Sequence, residues 1–221
     1  MNSAIWDWGY AWSILPDLLD GVKLTIVATF FGSLISFGLG LVWTLVRLAR
    51  IPVATPAVEF FVQFVRGTPL LVQLYFLFFV FPNWGLSLPP MTTGVLGLGI
   101  FYSAYAAEIY RAGIEDLPLG QWEAALVLSL PIRRVWFGIV LPQSIRKILP
   151  VLGNQVIGMF KESALLSTIT VMELLGQAKA LGSLDFRYVE PLTLAGAIYF
   201  VVSYVSARTL RSWEGNHAVG S

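Results

Sequence analysis

Long apolar runs separated by short polar breaks dominate this chain. The first, about Val22 to Leu48, can cross ~30 Å of hydrocarbon at ~1.5 Å per residue. Within it Gly32, Ser36 and Gly40 fall four apart, a small-residue face that a second helix can approach closely. Arg47 and Arg50 close the run, and Pro52 and Pro56 break it. The second apolar region, Ala57 to Phe81, holds Arg66-Gly67-Thr68-Pro69, a step that weakens or kinks a helix, so the crossing is expected over Phe64 to Phe81. A third span, about Met91 to Ala112, carries another four-apart stripe, Gly99, Ser103 and Ala107. A fourth is expected from about Val151 to Leu175 and a last from about Leu192 to Leu210. The pattern predicts one all-α membrane domain, 1–221, of about five transmembrane helices.

The breaks have characters of their own. Residues 1–21 hold three Asp, no Lys or Arg, and the cluster Trp6, Trp8, Tyr10 and Trp12. They lack the basic start and unbroken apolar core of a signal peptide, and such aromatic density fits the lipid headgroup level. An extracytoplasmic segment lying on the membrane is expected there. Residues 82–90 are a short uncharged loop, and 176–191 a polar loop with Lys179, Asp185, Arg187 and Glu190. Val135 to Leu149 contains Pro142, Arg146 and Lys147, which suits an amphipathic stretch at the interface better than a span.

Composition agrees with a bilayer protein. The chain is 57% hydrophobic and 12% charged, against about 25% charged in soluble domains. A net charge of +1 gives no argument for nucleic acid. With no Cys, disulfides, thiolate catalysis and Cys–metal sites are excluded. The one His, His217, sits in the tail GNHAVGS, far from any acidic cluster, so no metal site, catalytic residue or cofactor is expected.

The polar stretch Gln121 to Pro142 reads QWEAALVLSLPIRRVWFGIVLP. Gly120 is a tolerated N-cap with Glu123 at N3, good helix formers run to Leu130, and Pro131 stops them. Trp122, Leu126 and Leu130 form an apolar stripe on a helix short enough to need something to dock against. Glu123-Ala124-Ala125, then Ser129, then Ile139-Val140-Leu141-Pro142 resembles the EAA loop of ABC importer permeases. That pattern normally has Gly where this chain has Ser129; a small side chain is kept at the turn, with weaker tolerance of left-handed backbone. RGTPLLVQLYF, SAYAAEIYRAGI and NQVIGMFKESALLS are similar to the narrower HisM/HisQ-like polar amino-acid group, and the likeness covers about residues 20–212.

The resemblance implies a type I importer permease fold and a cytoplasmic coupling loop, 113–150, seated in a cleft of the ATPase. Trp122, Glu123, Ala124, Ala125 and Ser129 would form that contact. It also implies the partners: a dimeric cytoplasmic ATP-binding subunit, a periplasmic or lipid-anchored solute-binding protein, and a second permease subunit, identical or homologous. No G-x-x-x-x-G-K-[ST] occurs, so hydrolysis is expected on another chain.

Charges inside the spans are the candidate path. Lys161 and Glu162, expected near the middle of the fourth run, point ~100° apart and each needs its own partner or water. Gln155 lies seven residues before Glu162, on the same face. These three and Arg66 are the candidate substrate-path residues; a structural polar network and a snorkelling Arg66 are the alternatives. Glu108 and Arg111 are spaced for an i,i+3 ion pair. For orientation, Arg47, Arg50, Arg111, Arg133, Arg134, Arg146, Lys147, Arg208 and Arg211 share the coupling-loop side, against Lys23, Lys179 and Arg187 on the other. The positive-inside rule then puts the loop and C-terminus in the cytoplasm of a bacterial inner membrane and the N-terminus outside. An ion-coupled secondary transporter is the alternative, but it needs inverted repeats, and no convincing internal symmetry is found.

Overall fold

The computed structural model describes residues 6–218, with side chains described as far as Trp213; His217 lies outside the described side chains. Helices make up nearly all of the described chain: α1 (Trp8–Leu48), α2 (Ala54–Gly67), α3 (Leu70–Tyr75), α4 (Pro90–Glu115), α5 (Leu119–Val127), α6 (Ile132–Val135), α7 (Leu141–Glu162), α8 (Leu174–Leu184) and α9 (Val189–Ala218). Three stretches are long and apolar enough to cross a membrane, 8–48, 132–169 and 189–213, and the bent α2–α3 pair makes a fourth. The 26-residue α4 is ~39 Å long and enclosed by its neighbours, completing the bundle of about five.

The two small-residue stripes meet. A Cβ on Gly40 would stand 2.6 Å from the Ala106 Cβ and 3.0 Å from the Ser103 carbonyl oxygen. One on Gly99 would stand 2.6 Å from Ile35 and 3.3 Å from the Gly32 carbonyl oxygen. Close backbone approach then allows cross-helix hydrogen bonds, Trp43 Nε1 to Ser103 Oγ at 3.1 Å and Thr44 Oγ1 to the Ala107 carbonyl at 3.1 Å. In lipid, where apolar burial between helices gains little, such packing and hydrogen bonding supply most of the association. Apolar side chains facing outward, such as Phe30, Leu34, Phe200 and Val205, suit the acyl chains.

Four expectations are corrected. First, α1 is one unbroken helix from Trp8, capped by Asp7, whose Oδ1 accepts from the Gly9 N–H at 2.8 Å. Its first turns pack Ile14 and Leu18 against Leu174, Ala178 and Ala195 rather than standing apart from the bundle.

Second, Phe64 to Phe81 is not one straight helix: α2 and the run Leu70–Trp84 bend by 105° at Thr68-Pro69. Proline denies Thr68 the helical region (φ −115°, ψ 141°), and Gln73 Nε2 donates to the freed Val65 carbonyl at 2.9 Å.

Third, Val135 to Leu149 is not a separate interfacial helix but part of the continuous run into α7. A π turn over Trp136–Val140 precedes Pro142 in the first turn of α7, where its missing N–H disturbs the ladder least.

Fourth, the run does not continue helical to Leu175. It ends at Glu162, tightens into a 3-10 turn over Ser163–Ile169 and reverses at Thr170 (φ 66°). The expected polar loop 176–191 is mostly α8. Glu173 caps α8, accepting from Leu175 and Gly176 N–H, and also accepts from the Tyr199 hydroxyl at 2.6 Å.

Candidate functional site

A cleft of about 680 Å³ runs between α2, α4 and α7. Arg66, Tyr102, Tyr105, Glu108, Lys147 and Gln155 line it. Arg66, in the last turn of α2, reaches it because the chain breaks one residue later, at Gly67–Thr68. Its guanidinium lies 5.4 Å from the centre of the Tyr105 ring and 3.9 Å from Glu108. Gln155 is buried on α7, its Nε2 donating to Ser36 Oγ at 2.9 Å and to the Tyr102 carbonyl at 3.4 Å. Its Oε1 has no partner among the described residues. Lys147 closes the far end on Asp116, at 2.5 Å.

Beyond the cleft the chain turns through α5. Pro118 is the N-cap and Gly120 lies inside the helix, so Glu123 sits past N3 and the expected capping box does not form. The helix is pinned to the bundle through Trp122, Ala125 and Leu130, which pack with Leu117, Val135, Val140 and Trp136. Trp122 meets Trp136 edge-on at 5.8 Å. The expected stripe is therefore only partly buried, since Leu126 stands 80% exposed. Leu126, Val127 (83%), Leu128 and Ile132 form an apolar face beside the exposed Glu123 and Ala124. Ser129 turns the chain back with φ 49°, the left-handed conformation that glycine adopts freely.

A family profile described as "Binding-protein-dependent transport system inner membrane component" matches residues 36–213. The chain belongs to this family. The permease is 41% identical over 217 residues to the probable amino-acid ABC transporter permease protein y4tG of Sinorhizobium fredii, covering 96% of this chain and 94% of that one. It is 33% identical to the probable glutamine ABC transporter permease protein GlnP of Bacillus subtilis, covering 93% and 95%. Among solved structures, an amino acid ABC transporter crystallised with histidines matches at TM-score 0.92 and 36% identity, over 96% of this chain and 99% of that chain. The inward-facing MetNI methionine transporter matches at TM-score 0.65, covering 94% and 99%; at 16% identity this likeness concerns the fold alone.

Two of the four path candidates, Arg66 and Gln155, share the permease cleft. The other two do not line it. Lys161 and Glu162 are the last residues of α7, both exposed, and make no ion pair among the described residues. They end the α-helix inside the 132–169 stretch, which continues past them as a 3-10 turn. Glu162 nonetheless lies beside the side chain of Tyr102, itself a lining residue of the cleft.

Glu108 has a wider partner set than its i,i+3 spacing signals. The i,i+3 pair with Arg111 is present at 2.7 Å, but Arg47 of α1 binds the other oxygen at 2.6 Å, and Arg66 approaches as well. Arg47 and Glu108 are 61 residues apart, so no local spacing signalled the pair; two charges near the ends of adjacent stripes were the only clue.

Proposed function

We propose that this permease subunit carries an amino acid or amino-acid-like solute across the bacterial inner membrane along the Arg66–Gln155 cleft. Movement is driven by ATP hydrolysis on a separate cytoplasmic subunit seated on α5. The observation that carries this reading is the face of α5. An exposed carboxylate beside two nearly naked aliphatic side chains, on a helix fixed rigidly from behind, is built as a docking contact. The amino-acid substrates named for the relatives support the solute class. A second permease subunit completes the path, and a solute-binding protein delivers cargo at the opposite face. The charge bias of the loops supports a cytoplasmic α5 and C-terminus, with the N-terminus outside.

The chain has no cysteine, so Glu123→Cys gives a single reporter thiol. With a co-expressed ATP-binding subunit, this thiol crosslinks to a cysteine placed in the facing cleft, and ATP changes the yield. A permease that elutes alone and crosslinks to nothing would remove α5 as the coupling element.

A further inference from the structure

We propose that the cleft selects its solute by charge. The solute carboxylate binds the Arg66 guanidinium, its ammonium group donates to Gln155 Oε1, and solutes with a second cationic group are rejected. This rests on the amino-acid reading above and adds which amino acids fit.

Arg66 is the surplus cation of its cluster. Glu108 already holds Arg47 at 2.6 Å and Arg111 at 2.7 Å, while Arg66 stands off at 3.9 Å. Arg111 also pairs with Glu115. Three guanidiniums thus face two carboxylates, and the least engaged, 41% exposed, is the one lining the cleft. Lys147 and Asp116 neutralise each other at the far end. The lining charges, Arg66 and Lys147 against Glu108 and Asp116, balance in number, but Glu108 is held more closely by Arg47 and Arg111. Arg66 is therefore the lining cation with the weakest partner, and its fork of N–H donors matches a carboxylate.

Gln155 supplies the opposite pole without a charge. Its Nε2 is held by Ser36 and the Tyr102 carbonyl, which fixes the amide with the carbonyl end left over. That Oε1 is buried, in a residue only 8% exposed, and has no partner among the described residues. Buried polar atoms are paired in the great majority of cases, so an orphan acceptor in the wall of a cleft points to a donor from a ligand. Gln155 is level with Tyr102, and Arg66 lies against Tyr105 and Glu108, one to two turns of α4 further on, ~5–9 Å along its axis. A neutral acceptor satisfies one ammonium group. No unpaired carboxylate lines the cleft to receive a second cation, whereas about 680 Å³ leaves room for a long polar side chain.

The test is equilibrium binding of radiolabelled glutamine, glutamate and lysine to the assembled permease–ATPase complex in nanodiscs, without the solute-binding protein. Glutamine and glutamate are expected to bind about tenfold or more tighter than lysine, the scale of one charge-assisted hydrogen bond. Arg66→Gln removes that preference, and Arg66→Lys, which keeps the charge, retains its order. Gln155→Glu raises lysine binding relative to glutamate. Co-elution of each variant with the ATPase guards against simple misfolding. Equal binding of all three solutes, or a preference that survives Arg66→Gln, overturns the charge selection alone. Binding of none of them by a complex that hydrolyses ATP overturns the amino-acid reading beneath it.

Discussion

Arg47 and Glu108, on neighbouring helices, meet at 2.6 Å with side chains only 18% and 20% exposed. They tie the end of α1 to α4 just where the small-residue packing of the two helices stops. A carboxylate so placed, with Arg111 on its other oxygen, is a structural anchor as well as one wall of the cleft. Glu108→Gln therefore takes the carboxylate from Arg47 and Arg66, while Arg111 keeps Glu115. It should cost about 2–4 kcal/mol, the range for breaking a part-buried ion pair from one side. Thermal unfolding in detergent would show a lowered midpoint, and Arg47→Met combined with Glu108→Gln should be milder than the two single losses added.

Packing of α1 on α4 predicts a sharp contrast between two nearby glycines. Gly40→Val forces carbon into backbone and Ala106 and should destabilise by about 1–3 kcal/mol, as overpacking does. Gly38→Ala meets nothing within 4 Å and should be neutral or mildly stabilising. Expression level and midpoint temperature of the two variants give the comparison.

At the turn after α5, Ser129 holds a positive φ. Ser129→Gly should stabilise the turn by about 0.5–1 kcal/mol, whereas Ser129→Val should lose more than that, because branching at Cβ is least compatible with left-handed backbone. Proteolysis of the α5–α6 connection reports both directions.

The N-terminal end of α1 has a pH limit that follows from Asp7. Its carboxylate accepts N–H groups from Tyr10 and Gly9, and these hold it below its ordinary value of 3.8, with Arg187 nearby. A depressed pKa stabilises the folded state above the unfolded value, and that contribution disappears as pH falls through the folded value. The first turn of α1 should loosen below about pH 4. Hydrogen exchange at Gly9 and Tyr10 should rise there relative to mid-helix amides, and Asp7→Asn should remove the difference.

Much of the helix packing was legible because it is periodic. Gly32, Ser36, Gly40 and Gly99, Ser103, Ala107 announce a close helix pair by spacing alone, and the structure brings them together. The EAA motif likewise located α5 and its turn. What was not legible depends on geometry beyond a helix turn. Nothing local distinguishes a 105° bend at Pro69 from a mild kink. Hydropathy could not see that the run after Glu162 winds as a tight 3-10 turn, which puts Lys161 and Glu162 at the end of the α-helix. Gln155 and Arg66 were found as polar residues in apolar runs, but their shared cleft needed the fold.

Transport by this permease is expected to depend on coupling through α5. The most direct measurement is ATP-driven uptake of a labelled amino acid by proteoliposomes holding this permease, its ATP-binding subunit and the solute-binding protein, for wild type and Glu123→Arg. Uptake is expected for the wild type and its loss on charge reversal, with the permease still folded in the membrane and the cleft still binding solute. Unchanged uptake in Glu123→Arg, or uptake that follows an ion gradient without ATP, would contradict coupling through α5.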